Sequence, residues 1–164
     1  MKKILIINTG GTFNKVYNPL TGNLDIEPTG KAIEAIAQAW LTEFKLKNII
    51  GKDSLELTNK DRKYIVKTIQ ESDFKNIIIV HGTDTMDETT EYLSRANLKK
   101  RIIVTGAMVP YSINPIEATA NLCSAYGYVQ GTTKRGVFIS MNGVIQDYKR
   151  AIKNKEKGYF EESK

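Results

Sequence analysis

Short, unbroken apolar runs alternate along this chain with longer segments whose apolar residues recur every three or four positions. Five runs are of the first kind: Lys3–Asn8, Leu46–Gly51, Asn76–Val80, Arg101–Thr105 and Gly136–Ser140. They are rich in Ile and Val without polar alternation, which is the pattern of strands covered on both faces. Between them, Ile33, Ile36, Ala37 and Trp40 are spaced as one helix face. Tyr64, Ile65, Thr68 and Ile69 form another, behind a capping stretch at Thr58–Asp61. A third helix is expected from Met86 or Asp87, with acidic residues in its first turn where the helix dipole favours them. A fourth is expected over about Ile116–Gln130.

Strands alternating with helices predict an α/β domain: a parallel sheet between two helix layers, flavodoxin-like or Rossmann-like, with right-handed crossovers. Ligands in such sheets sit beyond the carboxyl ends of the strands. The loops that follow strands should therefore share one edge. They are Thr9–Thr12, Asp53–Glu56, His81–Asp84, Gly106–Val109 and Asn142–Lys153. Phe13–Thr29 reads as one long polar loop of about seventeen residues, a length typical of lids and binding loops. The chain has 164 residues, and residues 1–164 are expected to form a single domain with a single core.

Composition narrows the function classes. Hydrophobic content is 41% and charged content 26%, ordinary for a globular chain. The formal net charge is +6, but lysines and acidic residues are interspersed, and no aromatic stacking pattern accompanies them. Nucleic acid is therefore not expected as a partner. The one basic cluster, Lys149–Lys157, reads as a solvated face. The single cysteine, Cys123, allows no internal disulfide and reads as a structural thiol in a reducing compartment. The apolar run behind Met1–Lys2–Lys3 is four residues long, too short for a signal segment or a membrane span. A cytoplasmic protein without a membrane partner is the expectation.

The chemistry gathers at the predicted edge. Gly10–Gly11 lets the backbone approach a ligand closely, with Thr12 directly behind it. A plain tight turn or a phosphate loop fits those residues too, although the full nucleotide-binding spacings are absent. A threonine hydroxyl is a weak nucleophile and needs a proton acceptor. His81 is the obvious base, but at a strand end before Gly82 it reads better as an orienting or packing residue. One histidine gives no multi-His metal set. Tyr17 can accept the Thr12 proton if a cation lowers its pKa, or it can be surface packing. Thr83–Asp84 joins a hydroxyl to a carboxylate; Asp84 can cap the following helix or face a lysine. Lys153 follows the fifth strand and belongs to the site edge, whereas Lys134 precedes that strand and belongs to the other.

Thr9–Gly10–Gly11–Thr12, His81–Gly82–Thr83–Asp84–Thr85–Met86 and Thr105–Gly106–Ala107–Met108–Val109–Pro110, extended by Asn121–Leu122 and Met141–Asn142, resemble the bacterial-type L-asparaginase/glutaminase family over nearly the whole chain. The resemblance implies the fold of that family's N-terminal domain. It also implies hydrolysis of the asparagine side-chain amide to aspartate and ammonia without metal or organic cofactor. Thr12 matches the nucleophile that forms an acyl-enzyme, and Tyr17 the loop tyrosine that assists it. Thr83, Asp84 and Lys153 match a second set that orients water. Ser54 matches a binder of the substrate α-carboxylate, and Ala107 a backbone carbonyl contributor. N–H groups near Gly11 and Thr83 are the natural oxyanion donors. Leu55 stands where many members carry a polar substrate-binding residue. Members usually have a second, smaller C-terminal domain, so this chain reads as a short single-domain form. The family habit implies a homo-oligomer, dimer or tetramer, acting on a small amino-acid amide.

Overall fold

The computed structural model describes residues 1–40 and 42–163. Its elements run β1 (Ile4–Gly10), β2 (Lys15–Tyr17), β3 (Leu24–Ile26), α1 (Lys31–Trp40), β4 (Lys45–Lys52), α2 (Asn59–Gln70), β5 (Asn76–Val80) and α3 (Met86–Arg95). They continue with β6 (Arg101–Thr105), α4 (Pro115–Gly131), β7 (Gly136–Met141), β8 (Val144–Asp147), β9 (Ala151–Asn154) and β10 (Tyr159–Glu162). Strands β4-β1-β5-β6-β7 form a parallel sheet, and β8 adds an antiparallel edge. The parallel order is the doubly wound one in which the chain reverses direction between β1 and β5.

The unbroken apolar runs have the expected cause. In β1, β5 and β6 neighbouring residues point to opposite faces, and both faces are covered. Leu5, Ile7, Ile77, Ile79, Ile102 and Val104 pack with Ile65, Ile69 and Leu93 of α2 and α3. Ile4, Ile6, Ile78, Val80 and Ile103 pack with Ile33, Ile36, Leu122 and Val129 of α1 and α4. Edge strand β4 is the exception, half-exposed and carrying Lys45, Lys47 and Lys52, a composition that discourages pairing with another sheet edge. At the start of α2, the Thr58 hydroxyl accepts from Asp61 N–H while the Asp61 carboxylate accepts from Thr58 N–H, a complete capping box.

Two segments differ from the sequence reading. Phe13–Thr29 is not one open loop, because Lys15–Tyr17 and Leu24–Ile26 pair as an antiparallel hairpin. The stretch after the fifth strand is also structured. Asn142 and Gly143, with φ of 50° and 81°, form a two-residue turn that folds β8 back onto β7. An Asn-Gly pair suits such a turn because both central residues need positive φ. Within the basic cluster, β9 pairs with β10, and Ala151 is buried. That cluster is therefore a strand with one inward lysine rather than a uniformly solvated face.

Candidate functional site

Three strand-end loops touch at the point where the sheet reverses. A methyl group placed on Gly11 would lie 2.4 Å from the Gly82 nitrogen, and one on Gly82 would lie 2.6 Å from Ser54 Oγ. The backbones behind β1, β4 and β5 are therefore in direct contact, and residues 11 and 82 have no room for a side chain. Thr12 and Thr83 each follow one of these glycines, so both hydroxyl-bearing residues leave from the same contact. Gly10 and Gly11 have φ of 105° and 75°, a region that favours glycine.

Lys153 reaches this place from β9, in the two-stranded ribbon beside edge strand β8. Its ammonium donates to Thr83 Oγ1 at 2.8 Å and to Asp84 Oδ1 at 2.7 Å. The lysine side chain is only 14% exposed. Asp84 is thus an ion-pair partner rather than a helix cap. The cap position of α3 falls to Thr85, whose hydroxyl donates to the Ser54 carbonyl at 2.8 Å. Ser54 is buried, and its hydroxyl accepts from the Asp84 N–H at 3.2 Å. A cleft of about 520 Å³ opens along the Thr83–Asp84–Lys153 flank, between α3 and the β9–β10 ribbon.

Other proposed site residues have no hydrogen bond to this network. Tyr17 is on β2 and 64% exposed, and it is not part of the Lys153 network. Leu55, on the turn behind β4, is 72% exposed and presents an apolar side chain to solvent. Ala107 is fully buried behind β6. Of the N–H groups near Gly11, that of Gly11 itself donates to the Lys52 carbonyl at 2.9 Å. That bond ties the turn behind β1 to the end of β4.

Several supporting residues act here, and of them only Asn121 stood in a quoted motif. Glu117, in the first turn of α4, accepts from Met108 N–H at 3.0 and 3.1 Å and from Val109 N–H at 3.0 Å, and so fixes the loop behind β6. Asn121 closes the same loop by donating to the Gly106 carbonyl at 3.0 Å. Lys15 pairs with Asp53 at 2.7 Å, which ties the hairpin to the Ser54 turn. That ammonium bond holds the Asp53 carboxyl below its ordinary range, against the opposing effect of burial. Only Asn114-Pro115 before Glu117 is a recognisable helix start; the partners of Glu117 and Lys15 are distant in sequence.

His81 is fully buried, with Nδ1 2.6 Å from the Gly82 carbonyl and no partner at Nε2 among the described residues. Burial is the main force that pushes its pKa down, from 6.5 to about 4, and the Arg62 charge adds to it. The Gly82 bond and Asp87 oppose the shift. The ring is therefore neutral, donating from Nδ1, and acts as packing and loop support. Its native pKa lies below its unfolded one, so its contribution is complete above about pH 6.5 and is lost as pH falls towards 4. The difference corresponds to about 3 kcal/mol. Urea melts of His81→Gln should lose less stability than the wild type over that window. Parallel pH dependences in the two proteins would refute this account.

Among the described residues there is no group of three or more His, Cys, Asp or Glu side chains placed to hold a metal. None of the described helices is long and apolar enough to cross a membrane. Burial pushes the Cys123 thiol up, away from nucleophilic character.

Fold and site define a doubly wound α/β domain whose hydroxyl-rich loops meet a Lys–Asp pair at the reversal point of its sheet. The model of the family "Asparaginase, N-terminal" matches residues 3–159, and the chain belongs to that family. A glutaminase-asparaginase of Acinetobacter glutaminasificans is 26% identical over 154 residues, which cover 87% of this chain and 46% of the relative. A probable L-asparaginase 4 of Schizosaccharomyces pombe is 28% identical over 140 residues, 80% of this chain and 38% of the relative. The chain thus spans less than half the length of these two relatives. Among solved structures, a probable cytoplasmic L-asparaginase from Campylobacter jejuni superposes with a TM-score of 0.76 at 27% identity, covering 93% of this chain and 50% of the other. The thermostable L-asparaginase from Thermococcus kodakarensis shares the fold, with a TM-score of 0.82 at 23% identity over 98% of this chain and 51% of the other.

Proposed function

We propose that residues 1–164 act as one catalytic domain that hydrolyses the side-chain amide of L-asparagine to L-aspartate and ammonia, with Thr12 as nucleophile. The observation that carries the reading is the Lys153 ammonium, bonded at once to Thr83 and Asp84 beside the Gly11–Gly82 contact. An ammonium has donors only, so Thr83 Oγ must accept from it, and the threonine's own O–H is left to donate elsewhere.

In this mechanism Thr12 Oγ attacks the amide carbon, and its proton is relayed to solvent through the Tyr17 hydroxyl, which gives up its own proton as it accepts that of Thr12. The hairpin brings Tyr17 onto the substrate for that step. The tetrahedral oxyanion is held by N–H groups of the Thr12 and Thr83 loops. The carbon–nitrogen bond then breaks, and the departing nitrogen takes the Thr83 proton. Lys153 replenishes Thr83, with Asp84 balancing the charge. Water, oriented by the same hydroxyl, attacks the acyl-enzyme ester and gives a proton through Thr83 to Lys153, while the departing Thr12 oxygen regains its proton through the Tyr17 relay. Ser54 receives the substrate's α-carboxylate, with Gly11, Leu55 and Ala107 lining the remainder of the site. No step uses a metal or an organic cofactor.

Ammonia release from L-asparagine, L-glutamine and D-asparagine tests the reading. Release from L-asparagine supports it. Release from another amide alone would move the assignment to that amide, a reading that the apolar Leu55 favours. No release from any amide at millimolar concentration would leave a ligand-binding module.

The same reading includes a homo-oligomer, dimer or tetramer, in the cytoplasm. Exposed Leu55, Val109 and Ile113 on the loops at the site edge, with exposed Ile116 in the first turn of α4, support a self-covering face. A sedimentation-equilibrium mass equal to the 18.4 kDa monomer would refute the oligomer, and recovery outside the cytoplasmic fraction would refute the location.

A further inference from the structure

The Gly10 peptide is held on both sides by buried amide side chains. Asn14 Nδ2 donates to the Gly10 carbonyl at 2.8 Å and to Asn8 Oδ1 at 2.9 Å. The Gly10 N–H donates to the same Asn8 Oδ1 at 3.1 Å. Two donors on Asn8 Oδ1 fix the orientation of that amide, and its Nδ2 donates onward to Asn48 Oδ1 at 3.0 Å. Asn48 Nδ2 then donates to the Thr29 carbonyl at 2.7 Å, just beyond the hairpin. Asn8 and Asn14 are both buried.

The arrangement answers a mechanical need. Two successive glycines with positive φ have many accessible conformations, and nothing in their own chemistry selects one. Thr12 begins a tight turn that ends at Asn14, so the Asn14 amide reaches back around the nucleophile position to grip the peptide before it. Both bonds of the Asn14 side chain run through Nδ2, and Asn14 Oδ1 has no partner among the described residues. A leucine of similar size would release Gly10.

We propose that Asn14, seated on Asn8, is a positioning residue that fixes the direction of the Thr12 hydroxyl. The inference rests on the amidohydrolase reading for its kinetic consequence, but not for its mechanical one. Asn14→Leu should lower kcat roughly tenfold to a hundredfold, the scale of a small misplacement of reacting groups, and leave KM within about twofold because Ser54 and Ala107 are untouched. Asn14→Asp regains one O–H donor when protonated, so its kcat should recover in part as pH is lowered; a wild-type pH profile in that variant would overturn the proposal. In both variants, hydrogen exchange at the Gly10 and Gly11 amides should rise at least about tenfold, while the Ile77–Val80 amides of β5 stay unchanged.

A fall in kcat without faster exchange at Gly10 and Gly11, or faster exchange with unchanged kcat, would overturn the proposal. So would faster exchange throughout the sheet, which marks a general loss of stability. If the wild type hydrolyses no amide, the functional reading fails by itself, and the exchange comparison alone decides whether Asn14 holds the turn. If Asn14→Leu does not fold, the isosteric Asn14→Asp carries the same comparison.

Discussion

Thr12→Ala is expected to release ammonia from L-asparagine at least roughly a hundredfold more slowly than the wild type, because removing a nucleophile eliminates the covalent route. The size of the effect follows from the site's geometry. The Thr83–Lys153–Asp84 network stays in place, but its hydroxyl bonds to an ammonium and, in the proposed mechanism, serves proton transfer. It does not substitute for attack on the amide carbon. Thr12 is also only partly buried and follows a turn held by its own bonds, so losing its hydroxyl should hardly alter the melting temperature. A steady-state ammonia assay together with a thermal melt separates the outcomes. Wild-type ammonia release from Thr12→Ala would sink the role of Thr12 while leaving the hydrolase reading intact.

Lys153→Met is the second large effect. The substitution keeps most of the side-chain volume and removes the donor to both Thr83 Oγ1 and Asp84 Oδ1. Asp84 then loses its counter-ion, and in the proposed mechanism Thr83 loses its proton supply. General acid–base assistance of this kind is worth roughly a hundredfold to ten-thousandfold in rate, and kcat should fall on that scale. Stability should change far less, because Asp84 is 43% exposed and partly exposed ion pairs contribute about 1 kcal/mol or less. Kinetics on the purified variant with a parallel urea melt would decide it. A variant with wild-type kcat, or one that loses activity only by unfolding, would remove Lys153 from the mechanism.

Legibility differed from element to element. β5 and β6 have the predicted boundaries, Asn76–Val80 and Arg101–Thr105, because each is an apolar run buried on both faces and stops where polar loop residues begin. β1 runs on through Thr9 and Gly10. There the Thr9 hydroxyl donates to the Val80 carbonyl at 2.8 Å, a bond between strands that no single-strand pattern announces. The hairpin β2–β3 was missed because each arm is three residues long and largely exposed, which leaves no apolar alternation to read. The turn at Asn142–Gly143 did carry a signal, but the short strand behind it looked like more loop.

The candidate site divides in the same way. Thr12, Thr83 and Asp84 stand beside recognisable strand ends, and the order of elements placed Lys153 at their edge. Asn14, Glu117 and Lys15 act through partners brought near by the fold, and none sits in a motif.

By itself the sequence determined the layered α/β architecture, the edge on which the loops gather and the residues able to do chemistry there. Those are properties of hydrophobic period and chain order, and they are local. Only the tertiary structure decided that the loops behind β1, β4 and β5 meet through glycines too crowded for a Cβ, that Lys153 bonds Thr83 and Asp84 together, and that buried asparagines bond the Gly10 turn before Thr12. These depend on strand order and on distances of a few ångströms between residues far apart in the chain. Close packing sets such distances, and no local pattern encodes them.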